Sequence, residues 1–363
     1  MSFGDIRDQE TALRLLRNFI ARDRVPNGLL FWGPGGVGKR LAAMEFAKAL
    51  NCKEAKGDAC GRCITCRKID HGNHPDIRVL APKDKSRMIK REEIDEVNEF
   101  AALRPFESQW RIFILRDAER MNASAQNHFL KTLEEPPGRS LFVLLSEHPR
   151  MLLPTIRSRC QAVRFRALRR ETVSELLRRE RDLPIELADS IAEIAEGQMS
   201  RALDLVDSEK RQVALSLVER LAEGGDPVVM AEEFSAFLDN QRKQIEAAVK
   251  AEAGSDAMDE QSRGDAESAK EERLALLAAA VRRDIVEYLY LMQTWYRDLL
   301  VAGAAGNGGP VWNIDKRDAI ATAAGGGDAS AKIAAIEQAR VNLDRFIPEE
   351  RVFRELFFAL AAK

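Results

Sequence analysis

The chain has 363 residues, 45% of them hydrophobic and 31% charged, and a net charge of −2. That length holds two or three domains, and the composition fits a soluble globular protein. No apolar run approaches the roughly 20 residues of a membrane span, and Met1-Ser2-Phe3-Gly4-Asp5 does not lead a basic segment into an apolar one, so the expectation is a cytoplasmic protein without a membrane contact.

The charge is uneven. Residues 251–272 carry eight acidic and two basic side chains, which leaves the remainder at +4. That balance permits nucleic-acid contact without arguing for it.

Residues 5–24 read as an amphipathic helix, with Leu13, Leu16, Phe19 and Ile20 at helical spacing. Pro26-Asn27-Gly28 breaks it. An apolar strand, Leu29-Leu30-Phe31-Trp32, then runs into Gly33-Pro34-Gly35-Gly36-Val37-Gly38-Lys39-Arg40, and a helical pattern follows from Leu41 to Leu50. Strand, glycine loop and helix form the context of a phosphate-binding loop. Gly33, Gly35, Gly36 and Gly38 let the backbone turn tightly, so that successive N–H groups of the loop, that of Val37 included, point at phosphate oxygens. The helix N-terminus adds partial positive charge and Lys39 a full one. The correct flanking elements argue against a chance glycine turn. The last position departs from the pattern: a Ser or Thr hydroxyl there holds Mg²⁺, and Arg40 cannot. The loop is expected to hold phosphate and to hydrolyse it poorly.

Four of the five cysteines follow closely: Cys52, Cys60, Cys63 and Cys66. In a cytosolic chain this clustering favours metal over disulfide. Thiolates at x₂ spacing converge on one ion, and Cys52 closes the tetrahedron, so a structural Cys₄ zinc knuckle is expected. An iron–sulfur cluster and four free thiols stay open as rivals. His71 and His74 read as structural, because four Cys already fill the shell.

Asp76 to Leu80 reads as a short strand. The basic run Lys83, Lys85, Arg87, Lys90 and Arg91 reads first as a solvated loop, with a DNA or partner contact as the alternative. A helix follows to Leu103, closed by Pro105. Arg111 to Arg116 is a buried-type strand ending at Asp117, where a carboxylate sits beside the glycine loop and can hold Mg²⁺. The next position, where an active ATPase of this type carries Glu, is Ala118. Glu119 is expected to point elsewhere by period-two alternation. Two catalytic parts are therefore missing from one site.

Asn122 to Leu133 is helical and ends at Glu134-Glu135-Pro136-Pro137. Leu141 to Ser146 is an apolar strand whose tip, Ser146, is placed either to sense phosphate or to cap the strand end. Pro154-Thr155-Ile156-Arg157-Ser158-Arg159-Cys160 precedes a last strand, Ala162 to Phe165. Alternating strands and helices give an α/β domain with a mostly parallel sheet. Beyond Arg166 the chain is helical. Arg201 opens a helix near where phosphate would lie, with a solvent-facing role equally open. Residues 209–249 are helical with a break at 224–227. Residues 251–272 read as a disordered or loosely helical linker. Helix returns over 273–301, 329–346 and 348–361, with glycine-rich loops at 302–309 and 323–327.

Gly33 to Lys39, the cysteine knuckle, His74-Pro75-Asp76, the strand ending at Asp117, Phe129-Leu130-Lys131-Thr132-Leu133-Glu134-Glu135-Pro136-Pro137 and Ser158-Arg159-Cys160 stand in one order. In that order they resemble the clamp-loader AAA+ ATPases over about residues 1–205. The resemblance implies an AAA+ domain with its knuckle over 1–167, a small helical lid over 168–208, and an all-helical collar over 209–363 carrying the acidic insertion. Motor members of that family keep Thr after the loop lysine and Asp-Glu after the strand. Arg40 and Asp117-Ala118 resemble instead the non-motor members, which retain Ser-Arg-Cys.

The same resemblance implies roles for single residues. Arg159 would be an arginine finger inserted into a neighbour's ATP site, and Arg201 would fall at the second sensor. ATP or ADP would be bound without hydrolysis, if at all. The implied partners are gamma/tau motor subunits and a delta subunit in a hetero-pentamer, with the sliding clamp and primed DNA met by the assembled complex. The rival readings are an ATP-hydrolysing motor subunit of the same loader and a zinc-dependent nucleic-acid-binding module.

Overall fold

The computed structural model describes residues 2–55, 57–82, 88–254, 263–305, 309–324, 327–345 and 347–362, with side chains left out over 244–280. The chain divides into two compact units, residues 1–173 with 196–201, and residues 174–195 with 202–363.

The first unit opens with helix α1 (Glu10–Ala21) and strand β1 (Gly28–Trp32), followed by α2 (Lys39–Asn51) and α3 (Ile64–Asp70). Then come β2 (Ile77–Leu80), α4 (Arg91–Ala102), β3 (Arg111–Leu115), α5 (Ala123–Glu134), β4 (Ser140–Ser146), α6 (Pro154–Arg159) and β5 (Gln161–Arg164). The described strands form one sheet in the order β2-β3-β4-β1-β5, with every pairing parallel. Parallel strands need crossover helices that cover both faces, so the central strands carry no polar alternation. β4 accordingly is buried along its whole length. Phe113, Phe142 and Phe129 form its aromatic core, the first two rings stacked with centroids 5.1 Å apart and the third edge-on at 5.3 Å.

This is the α/β class with a parallel sheet that the sequence implies. Several boundaries shift. The first helix is shorter than the expected 5–24, because Phe3–Asp5 forms a separate 3₁₀ turn capped by Ser2. Asp76 does not start β2. It is fully buried, and its carboxylate accepts N–H bonds from Phe106, Glu107 and Ser108 at 2.7–3.0 Å and pairs with Arg111 at 3.2 Å.

After β5 come α7 (Arg170–Arg181), α8 (Ile185–Ile194) and α9 (Met199–Asp207). The second unit continues with α10 (Lys210–Ala222), α11 (Pro227–Gly254), α12 (Arg263–Ala305), α13 (Arg317–Ala323), α14 (Ala329–Asp344) and α15 (Glu349–Ala361). The core of this unit centres on Phe234, which packs against Tyr288, Phe353 and Phe357 with centroids 5.0–5.9 Å apart. Arg211 pairs with Asp315 at 2.6 Å, and Ser190 donates to the same carboxylate, so a buried polar network pins the loop before α13. The described chain in this unit is helical, as expected, with α13 an addition that the flanking glycine-rich loops hid. Of the acidic stretch 251–272, residues 255–262 lie outside the described residues, and the backbone on either side is helical. In the basic run, Lys83, Lys85 and Arg87 lie outside them too. Among the described residues no helix is long and apolar enough to cross a membrane.

Candidate functional site

The glycine loop joins β1 to α2. Gly33 donates to Ser146 O at 3.2 Å, which ties the start of the loop to the tip of β4. Gly36 and Gly38 both take positive φ, 70° and 93°, a conformation that side-chain-bearing residues rarely adopt. A Cβ on Gly36 would also lie 2.1 Å from Ser200 N, so only glycine allows this approach. The buried amide of Gln9 accepts from Arg166 N and donates to Val37 O and Arg166 O, holding the loop against the end of β5.

Lys39 is buried, and its ammonium donates to Gly33 O and Pro34 O at 2.5 Å each. Burial lowers its pKa, while the carboxylates of Glu147, Glu119 and Asp117 oppose that shift. Arg40 is exposed at the second position of α2. A cleft of about 520 Å³ is lined by Gly36, Gly38, Lys39, Arg40, Asp117 and Ser146, so six of the residues singled out from the sequence share one wall. Gly33 lines an adjoining groove instead, and Val37 is core. Arg201 lies in α9, which begins two residues earlier than expected, and is not among the residues lining the cleft. Reading the sequence missed Glu147, Arg116, Asp70 and Glu45, which also line it. Glu147 and Arg116 carried a signal, as the neighbours of Ser146 and Asp117.

Two details bear on turnover. Ala118 is fully buried in the core beside Met121 and Ala125. Glu119 does not point away, contrary to the alternation argument. Strand geometry ends at Leu115, Asp117 takes a left-handed φ of 49°, and the 3₁₀ turn Ala118–Arg120 swings Glu119 back, where Oε1 accepts from Glu147 N and His148 N at 3.0 and 3.3 Å.

Cys52 is the C-cap of α2 and Cys63 the N-cap of α3. With Cys60 and Cys66 their Sγ atoms all lie within 4.8 Å of one another. A tetrahedral site with Zn–S bonds of about 2.3 Å places its sulfurs just under 4 Å apart, and Cys60 Sγ and Cys66 Sγ are separated by 3.9 Å. Backbone N–H groups already point at sulfur: Ala55 to Cys52, Cys63 to Cys60 and Cys66 to Cys63, at 3.3–3.4 Å. Burial pushes the Cys52 thiol up, but N–H bonds from Cys60, Ala55 and Glu54 outweigh it and bring it down to about 7. Burial pushes the Cys66 thiol well up. The donor set fits a structural metal ion. His74 is buried and bonds Asp76 N and Ser108 Oγ, away from the sulfurs.

Arg159 ends α6 and is partly exposed. Its guanidinium pairs with Glu134 at 2.5 Å and donates to Thr155 O at 3.2 Å. It lines no part of the cleft.

The parallel sheet, the glycine loop and the carboxylate after β3 define an α/β protein with a P-loop. Residues 8–169 match a family described as "DNA polymerase III, delta subunit". Over 169 residues the chain is 37% identical to DNA polymerase III subunit delta' of Bacillus subtilis, covering 47% of this chain and 51% of the relative. It is 39% identical over 132 residues to subunit delta' of Pseudomonas aeruginosa, covering 36% and 40%. It is 31% identical over 211 residues to subunit tau of Bacillus subtilis, covering 56% and 37%. The chain thus spans about half the length or less of these curated relatives. A solved gamma subunit-related protein of Thermotoga maritima aligns over 96% of this chain and all of its own, at 18% identity and a TM-score of 0.39. Through its N-terminal half the chain is similar to the delta' subunits of DNA polymerase III.

Proposed function

We propose that the chain serves as a delta'-type subunit of the DNA polymerase III clamp loader, largely unable to hydrolyse ATP itself. Its task is to supply Arg159 in trans to a neighbouring motor subunit while the loader places the sliding clamp on primed DNA. The observation that carries this is a contrast between two places in one unit. In the cleft, Arg40 stands where a metal-binding hydroxyl belongs, and Ala118, buried in the adjoining core, stands where the water-polarising carboxylate belongs. On α6, Arg159 keeps its charge at the surface within an intact Ser-Arg-Cys triplet. An arginine delivered to a phosphoryl-transfer site stabilises charge in the transition state, worth about 10³–10⁵ in rate.

Zinc in the Cys₄ cluster would be structural, holding α2 and α3 together through its four thiolates. The gamma/tau motor subunits and the delta subunit are the partners, in a hetero-pentamer joined through the helical segment 209–363 as collar, with residues 168–208 as lid. The compartment is the cytoplasm. The motor reading would have to draw on Glu119, the acid next to Ala118, whose Oε1 accepts from the N–H groups of Glu147 and His148.

The test is a reconstituted loader containing the Arg159→Ala chain. Assembly is expected to persist and DNA-stimulated ATP hydrolysis to fall. An unchanged rate in an assembled complex refutes the finger.

A further inference from the structure

The cleft disagrees with one group its fold implies. P-loop proteins hold the nucleotide together with Mg²⁺, which needs hard oxygen ligands in near-octahedral geometry. At the position of the ligating hydroxyl this chain has Arg40, whose guanidinium offers donors and no lone pair, and whose charge repels a divalent cation. Of the acids lining the cleft, Glu45 and Asp70 pair with Lys48 at 2.7 Å each, while Asp117 and Glu147, together with Glu119, act on the ammonium of Lys39 as opposite charges. Mg²⁺ does not fit this residue set.

The features that bind an anion remain. The 13-residue α2 presents its N-terminus to the cleft, after a loop whose Gly36 and Gly38 adopt positive φ. Lys39, Arg40 and Arg116 line the same wall. Ser146 in that wall is 1% exposed, and its hydroxyl has no hydrogen-bond partner among the described residues. A buried hydroxyl without a partner costs free energy that a ligand oxygen can relieve.

We propose that this cleft binds a nucleoside di- or triphosphate free of divalent metal, with the Arg40 guanidinium taking the place of the ion. The proposal rests on reading the cleft as a nucleotide site and adds the metal-free form of the ligand. A planar guanidinium bonds two phosphate oxygens at once, as an ammonium cannot. Magnesium competes for those same oxygens, so adding it weakens binding instead of enabling it.

The experiment titrates a fluorescent ADP analogue with the full chain, in metal-depleted buffer without chelator (to spare the cysteine cluster) and again in millimolar MgCl₂. The expected result is binding in metal-depleted buffer that weakens with MgCl₂. Arg40→Thr is expected to lose roughly tenfold in metal-free affinity, about 1.4 kcal/mol, and to bind better with MgCl₂ than without. Arg40 is exposed, so the variant is expected to fold, with circular dichroism as the check. Binding that requires MgCl₂ in the unaltered chain overturns the metal-free proposal and leaves the nucleotide reading standing. No binding in either buffer overturns both. Metal-free binding indifferent to Arg40→Thr overturns the role given to Arg40.

Discussion

Helix α2 carries a candidate site at each end, and the two ends contrast. At its C-terminus, Cys52 joins three other sulfurs already within 4.8 Å of one another, with backbone N–H groups aimed at them. Nothing in that donor set is missing for a tetrahedral ion. At its N-terminus, Lys39 is folded onto the loop carbonyls of Gly33 and Pro34, beside an arginine that excludes the usual metal. One end has a complete ligand set within the chain, while the other has the glycines and lysine of a phosphate-binding loop together with Arg40 and Ala118, the two residues to which the proposed function ties lost turnover. Under the proposed function, a recognisable motif and a working site are separable. The motif lies in the glycines and Lys39, whereas turnover depends on what stands at Arg40 and Ala118.

The largest effect is expected at the sulfur end. Cys63→Ser is expected to lose bound zinc and to lower Tm by roughly 10 °C or more, given that a structural zinc contributes several kcal/mol. Elemental analysis and calorimetry check this, and full metal content in the variant would contradict the Cys₄ assignment.

The sulfur end also has a brace. Lys68 of α3 bonds Glu107, whose N–H is held by the buried Asp76. Asp76→Asn removes the charge opposite Arg111, and about 3–5 kcal/mol of stability should go with it, by denaturant unfolding. Burial raises the Asp76 pKa, but N–H bonds from Glu107 and Phe106, the Arg111 pair and Ser108 lower it further, so the net shift is downward. A depressed carboxylate stabilises fully above the unfolded pKa near 3.8 and loses that stability as pH falls through the folded value. The unaltered chain should therefore lose stability below pH 4, and the variant should lack that component.

At the loop end the expected effect is smaller and concerns binding. Burial lowers the Lys39 pKa, so its charge is lost at a pH below the 10.5 of an unperturbed lysine. Affinity for the fluorescent ADP analogue should fall as pH rises through that depressed value. Affinity flat up to pH 10.5 would mean that Lys39 does not meet the phosphates.

The smallest effect on stability is expected at Glu134→Gln. Its pair with Arg159 is substantially exposed and worth about 0–1 kcal/mol. Denaturant midpoints should barely move, and a loss beyond that range would make the pair a structural strut instead of a surface contact.

Most of the architecture was legible because its signals are local. Apolar runs marked β1, β3 and β4, while glycine and proline marked the turns, and spacing alone gathered the four cysteines. What escaped reading depends on contacts far apart in sequence. Asp76 looks like the start of a strand until Phe106, Glu107 and Ser108 are brought to it. Glu119 follows period-two alternation only while the strand lasts, and the left-handed Asp117 ends it. Glu134 belongs to a motif read from the sequence, but its partner Arg159 lies 25 positions on and meets it only because α5 and α6 pack together.

The measurement closest to the central claim is ATP turnover by the purified chain alone, with magnesium present. With Arg40 in place of the hydroxyl and Ala118 in place of the carboxylate, no turnover above background is expected. Sustained hydrolysis that is lost in Lys39→Ala would contradict that expectation and make this chain a motor.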